Sequence, residues 1–191
     1  DSALGPALAE RSLPREGDAA ADIARWMAQA LAGLAFAHDA GLAHRDVQPF
    51  LLTLADNGSL RVLGLEVAAA DAGPQAPPTD VGDVNRHLRQ SRNAAERDVL
   101  ALAIVMHGLL TGAPALEQAD VANAIARLPP LGRETLRLPW DLPRPVPDAL
   151  RAIANRATDR QPRQRYRNAR TLARALEGWL EADGNQGADA H

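Results

Sequence analysis

The sequence predicts a mainly α-helical domain that carries one small β-hairpin, and three observations predict it. Apolar residues recur at helical spacing from about 20 to 39. The stretch from Val99 to Leu110 is apolar on nearly all sides, as befits a helix buried within a core rather than laid on its surface. Between them, two short apolar runs in "FLLTLADNGSLRVLGL" flank Asn57-Gly58, a dipeptide that favours tight antiparallel turns.

Taken in order, residues 1–17 hold a short apolar pattern at Leu4 and Leu8, then a loop with Pro14 and Gly17. Asp18 is placed to cap the helix that follows. That helix buries Ile23, Trp26, Met27, Ala30, Leu31 and Leu34, and Gly41 offers a left-handed stop beyond it. The hairpin occupies residues 50–65. Residues 68–82, rich in Pro, Gly and Ala, are expected to form a mobile loop. The buried helix spans 98–111, with Asp98 at its expected start and Gly112 just past its end. A modest helix is expected over 117–128. The six prolines of 129–147 impose an extended connection. Two helices close the chain, at about 147–157 and 168–182, the last burying Ala169, Leu172, Leu176, Trp179 and Leu180. Residues after Gly184 are expected to be a disordered tail.

A length of 191 residues suits one domain. Hydrophobic residues make up 46% but aromatics only 3%, so the core must come from Leu, Val, Ile and Ala on closely packed helices. The absence of cysteine excludes disulfides and thiolate metal sites. The net charge of −3 selects no class of partner. All 21 basic residues are arginine. No run approaches the roughly 20 apolar residues of a membrane span, and no signal peptide is visible. A cytoplasmic location is expected, including as the cytosolic part of a membrane protein. The chain opens on Asp1 rather than Met, as a piece cut from a longer protein would.

"LAFAHDAGLAHRD" resembles the end of helix E running into the catalytic loop of eukaryotic-type Ser/Thr protein kinases found in bacteria. "LRVLGLE" is similar to the strand that leads into that family's Asp-Phe-Gly. "ERDVLALAIVMHGLLTG" matches the helix F pattern Asp-Val-x-x-Leu-x-x-x-x-x-x-Leu-Leu-Thr-Gly, and "DRQPRQRYRNARTLARALE" resembles the segment around the lobe's structural arginine, here Arg165. The motifs stand in the right order with sensible separations and cover nearly the whole chain. The resemblance implies a protein-kinase-like C-terminal lobe over residues 1–183 without the N-terminal β lobe, an activation-segment-like loop at about 64–95, and a tail at 184–191.

Kinase chemistry is mostly positioning and charge neutralisation. In the family a catalytic-loop Asp takes the substrate's hydroxyl proton. An Asn in that loop and the Asp of Asp-Phe-Gly hold magnesium on the phosphates, and lysines neutralise charge. Carried onto this sequence, Asp46 remains as the base, preceded by His44 and Arg45. Gln48 stands at the loop lysine, Leu51 at the metal-binding Asn, and Gly64, Leu65 and Glu66 at Asp-Phe-Gly. Leu51 and Gly64 offer magnesium nothing, and a chain without lysine cannot supply the phosphate-binding one. Glu66 is a conceivable replacement carboxylate, although two places late. Ala-Pro-Glu is missing too: its place holds "DVNRHLRQ", so Arg165 needs another partner or faces solvent. What the resemblance leaves intact is framework. Asp98 would accept hydrogen bonds from the backbone of the His-Arg-Asp turn, with His44 packed beneath it.

Other readings are weaker. Arg45 would contact a phosphothreonine in a regulated kinase, and Thr79 is the one candidate in the mobile loop. His38, His44 and Asp46 are near in sequence, but the first ends a helix and the second belongs to a turn, so no metal site is expected. Residues 151–174 contain eight arginines and one acid. A nucleic-acid-binding helical domain is one reading of that patch. A solvated face touching an acidic partner is preferred, because Tyr166 is the only aromatic there and the chain is net acidic.

The expected function is therefore that of a pseudokinase lobe, a scaffold or allosteric module that binds another protein or a neighbouring domain of its parent chain. No nucleic acid is expected as partner, and any membrane association would run through a segment outside this chain. No cofactor is expected, with ATP and magnesium bound very weakly or not at all. The alternative is the C-lobe of an active Ser/Thr kinase transferring phosphate from ATP to protein hydroxyls.

Overall fold

The computed structural model describes residues 19–65, 81–111, 146–159 and 161–188. Four helices and one hairpin account for most of them. These are α1 (Ala19–Asp39), β1 (Leu52–Leu54), β2 (Leu60–Val62), α2 (Val81–Thr111), α3 (Asp148–Ala157) and α4 (Ala169–Ala188), with a 3-10 turn at Pro49–Leu51 leading into β1. Mainly helical architecture with one antiparallel two-stranded hairpin agrees with the predicted class, and it is compatible with a fragment of a kinase C-lobe. The expectations for residues 1–18, including the Asp18 cap, for Glu66 and Thr79, and for the helix at 117–128 lie outside the described residues.

Helix α1 is the hub. Its stripe Ile23, Met27, Leu31 and Leu34, spaced at four, four and three residues, is fully buried and faces α2, α4 and β2. Leu102 and Met106 of α2, Leu150 of α3, and Leu172 and Leu176 of α4 complete the core with Leu52 and Leu54 of β1. Burying a side chain of this size stabilises by about 1.5–3 kcal/mol, so the stripe contributes a substantial part of the fold's driving force. The end of α1 is fixed by hydrogen bonds from Gly41 N–H to His38 O and from Leu42 N–H to Ala37 O, both 2.9 Å. Gly41 has φ +79, so the pair forms a Schellman cap that only a residue without a Cβ enters cheaply.

The hairpin pairs Leu52 with Val62, Thr53 with Arg61 and Leu54 with Leu60. Gly58, at φ +77, takes the left-handed position of its turn, and the Asn57 side chain accepts from the backbone and hydroxyl of Ser59. Leu60 N–H donates to Gln29 Oε1 at 2.7 Å, which ties the turn end of the hairpin to α1.

Two boundaries differ from the sequence reading. The loop expected up to about 95 ends earlier, because α2 begins at Val81. Asp98 therefore stands in the middle of a 31-residue helix rather than at its start. Residues 83–97 contain no proline or glycine and many Arg, Ala, Leu, Gln and Glu, which are good helix formers. Once the buried turns 98–107 are nucleated, extending them backwards adds one bond per residue. Helix α4 runs to Ala188, past the Gly184 at which a disordered tail is expected, although Gly184 and Gly187 are poor helix formers; residues 189–191 lie outside the described residues. At its other end α4 is capped reciprocally: Thr171 N–H donates to Asn168 Oδ1 at 2.9 Å, and Asn168 N–H to Thr171 Oγ1 at 3.2 Å.

Candidate functional site

The turn after α1 carries His44, Arg45 and Asp46, and a buried carboxylate from another element organises it. Asp98, 1% exposed, accepts the His44 backbone N–H on Oδ2 and the Arg45 backbone N–H on Oδ1, each at 2.7 Å. His38, at the end of α1, donates Nε2–H to the same Oδ2 at 2.9 Å. Hydrogen bonds to a charged partner are worth about 1.5–3 kcal/mol each. They hold Arg45 at φ +70, the one non-glycine residue with positive φ among the described residues. Such a conformation persists only where its surroundings impose it. His38 is thus tied to Asp98.

The His44 ring reaches the other way. Its Nε2–H donates to Leu63 O at 2.6 Å, and Nδ1 accepts from Asp46 N–H at 3.4 Å. Both contacts suit the neutral ring protonated on Nε2, since a carbonyl can only accept. His44 thereby clamps the catalytic-looking turn to the end of β2.

Asp46 is exposed, and its Oδ1 accepts Gln48 Nε2–H at 2.8 Å. Gln48 is itself buried, at 5% exposure. The carboxylate is therefore bound by a neutral amide. Leu51 and Gly64 lie beside one another. A Cβ built on Gly64 would fall 3.8 Å from Leu51 Cδ1 and 3.2 Å from His44 Nε2, and Gly64 has φ +93. Leu65 follows directly, only partly exposed. The two positions at which the resemblance expects metal ligands thus converge, and between them they present a methyl group and a hydrogen. Among the described residues no cluster of three His, Cys, Asp or Glu is arranged to hold a metal ion. Among the described residues of this turn and of the Gly64 position, Asp46 is the one carboxylate.

Arg165 is half-buried, with Nε–H donating to Asp159 O. Burial lowers its pKa, and the carboxylates of Asp159 and Glu96 push it back up. Glu96, in α2, is thus a second acidic group near Arg165 beside Asp159, and the sequence reading missed it. The signal was there in its spacing from Val99 and Leu100, three and four residues on, which sets all three on one helix face. Gln48 as partner of Asp46 and His38 as partner of Asp98 were missed as well.

No family model matches the chain. Comparison with curated proteins finds similarity to serine/threonine-protein kinases. The serine/threonine-protein kinase PknL of Mycobacterium tuberculosis is 31% identical over 163 residues, covering 79% of this chain and 39% of the relative. PknD of the same species is 32% identical over 161 residues, covering 80% and 24%. PknH of Mycobacterium bovis is 31% identical over 169 residues, covering 84% and 28%. Most of this chain is kinase-related. It spans well under half the length of each of these relatives, and the kinase-related region includes the His44–Asp46 turn, the hairpin and the buried half of α2. No helix among the described residues is long and apolar enough to cross a membrane.

Proposed function

We propose that this chain is a catalytically inactive protein-kinase-like lobe, a pseudokinase, which works by binding another protein or a neighbouring domain of its parent. The supporting observation is the chemistry at the two metal positions, where Leu51 and Gly64 stand side by side and offer no side-chain oxygen. Phosphoryl transfer rests on cations that neutralise the migrating group. Removing one electrostatic contributor of this kind costs about 3 kcal/mol of transition-state stabilisation. Here the magnesium ligands and the loop lysine are all replaced, while the framework of Asp98, His44 and the core is retained. A framework kept without its chemistry still offers surfaces, because function sits in sites rather than in folds. On this reading ATP and magnesium bind very weakly or not at all.

A second reading is favoured by the kinase names of the relatives and by Asp46, the base position, being filled. It makes the chain part of an active Ser/Thr kinase with unusual metal ligands. Incubating the parent protein with labelled ATP, magnesium and a generic protein substrate separates the two. No transfer is expected, and transfer that disappears in Asp46→Asn overturns the inactive reading.

A further inference from the structure

Between α2 and the turn that joins α3 to α4 lies an open cleft of about 460 Å³. Its floor is apolar: Val99, Leu100 and Ala157, each at most 5% exposed. Its rim is basic. Arg92 reaches it from α2, and Arg163, Arg165 and Arg167 from the turn, against one carboxylate among the described residues of its lining, Glu96. Four guanidiniums facing one carboxylate is a local excess of positive charge in a chain whose net charge is −3. Arg92, Arg163 and Arg167 are exposed and make no ion pair among the described residues.

The turn is also held in shape before anything binds. Gln164 N–H donates to Gln161 O at 2.9 Å, and Gln161 N–H to Asp159 Oδ1 at 2.7 Å. Arg156 lies 4.4 Å from the Tyr166 ring centroid and donates to Gln164 O. Arginines mounted on a hydrogen-bonded turn over an apolar floor suit carboxylates flanking an apolar side chain, since the planar guanidinium pairs carboxylate bidentately. It suits single-stranded nucleic acid less. Base stacking needs open aromatic faces, whereas Tyr166, the one aromatic among the described residues of the cleft, already has Arg156 over its ring.

We propose that this cleft is the docking site for an acidic segment of a partner protein, whose carboxylates pair with Arg92, Arg163 and Arg167 while one apolar residue enters between Val99, Leu100 and Ala157. The proposal rests on the binding role inferred above and names the chemistry of the partner.

The test uses the parent protein on an array of synthetic peptides in which one Leu is flanked by increasing numbers of Glu, with Gln and Leu→Ser controls, and a labelled oligo-dT as competitor. Retention should rise with acid count, need the Leu, and fall about tenfold in the double variant Arg163→Glu/Arg167→Glu. Both side chains are exposed, so the variant should keep wild-type helicity by circular dichroism. Retention that ignores acid count, or that the double variant leaves unchanged, overturns the proposal, as does oligo-dT displacing every peptide through the same two arginines. Phosphate transfer by the parent would remove the inactive reading while leaving the peptide result intact. Failure on the array would remove the cleft while leaving the inactive reading intact.

Discussion

Asp98 in the middle of α2 accepts the backbone N–H of His44 at 2.7 Å, across 54 positions of sequence. The same carboxylate takes the next N–H in the turn and the His38 ring. One buried charge thereby fixes the end of α1, the left-handed backbone at Arg45 and the orientation of the Asp46 turn. Removing it leaves donors buried without an acceptor, and such groups are costly.

Asp98→Asn should therefore destabilise the fold by about 2–4 kcal/mol. The amide keeps the shape, but its NH₂ group faces a donor. Urea unfolding followed by circular dichroism measures this as a lower midpoint at unchanged slope. A loss below about 0.5 kcal/mol would mean that the turn is held by other contacts.

Restoring the missing carboxylate at position 64 should fail. Gly64 sits at φ +93 with the His44 ring 3.2 Å from where a Cβ would be, and such backbone strain costs about 1–3 kcal/mol. Gly64→Ala and Gly64→Asp should lose stability by similar amounts, because backbone and Cβ rather than charge set the penalty. Gly64→Asp should also give no phosphate transfer in the parent, since Leu51 and Gln48 remain. Measured stabilities of the two variants, beside a transfer assay, check both halves.

Thr53 is 5% exposed, and its hydroxyl has no hydrogen-bond partner among the described residues. Each neighbour in β1, Leu52 and Leu54, is buried, so both faces of the strand are covered. Thr53→Val replaces an unsatisfied hydroxyl by a methyl of the same shape. It should raise stability by about 1 kcal/mol, seen as a higher thermal midpoint.

How far the sequence could be followed depends on what each element buries. Helix α1 is legible because Ile23, Met27, Leu31 and Leu34 mark one face, and the hairpin because Gly58 is needed at a left-handed position. The outer half of α2 is not, since a largely exposed stretch such as 88–97 bears no apolar stripe and only its propensity speaks for a helix. At the site, residues 44–51 form one contiguous motif and can be picked out directly. Asp98 is reached only through the family resemblance, because no local pattern says which buried acid closes on which turn. The arginine cleft is harder still. Arg92 and Arg163 are 71 positions apart in the chain, and it is tertiary packing that brings them to one rim.

Tyr166 gives a clean pH test, because the composition removes every competitor. The chain has one tyrosine, no cysteine and no lysine, so between about pH 9 and 11 Tyr166 is the only side chain expected to titrate. Burial raises its pKa, and Arg156 beside the ring partly offsets that rise. A raised folded-state pKa means that the folded protein holds the proton more tightly than the unfolded chain does. Its stabilising contribution is complete below the unfolded value and is lost as pH rises through the folded one. Stability should thus fall on the alkaline side of about pH 10, and Tyr166→Phe should flatten that limb while leaving stability at neutral pH within about 1 kcal/mol. Tyrosinate absorbance during a pH titration reads the folded pKa directly, and urea midpoints across the same range read the linkage. An absorbance midpoint at or below that of free tyrosine would show that Arg156, not burial, governs this ring.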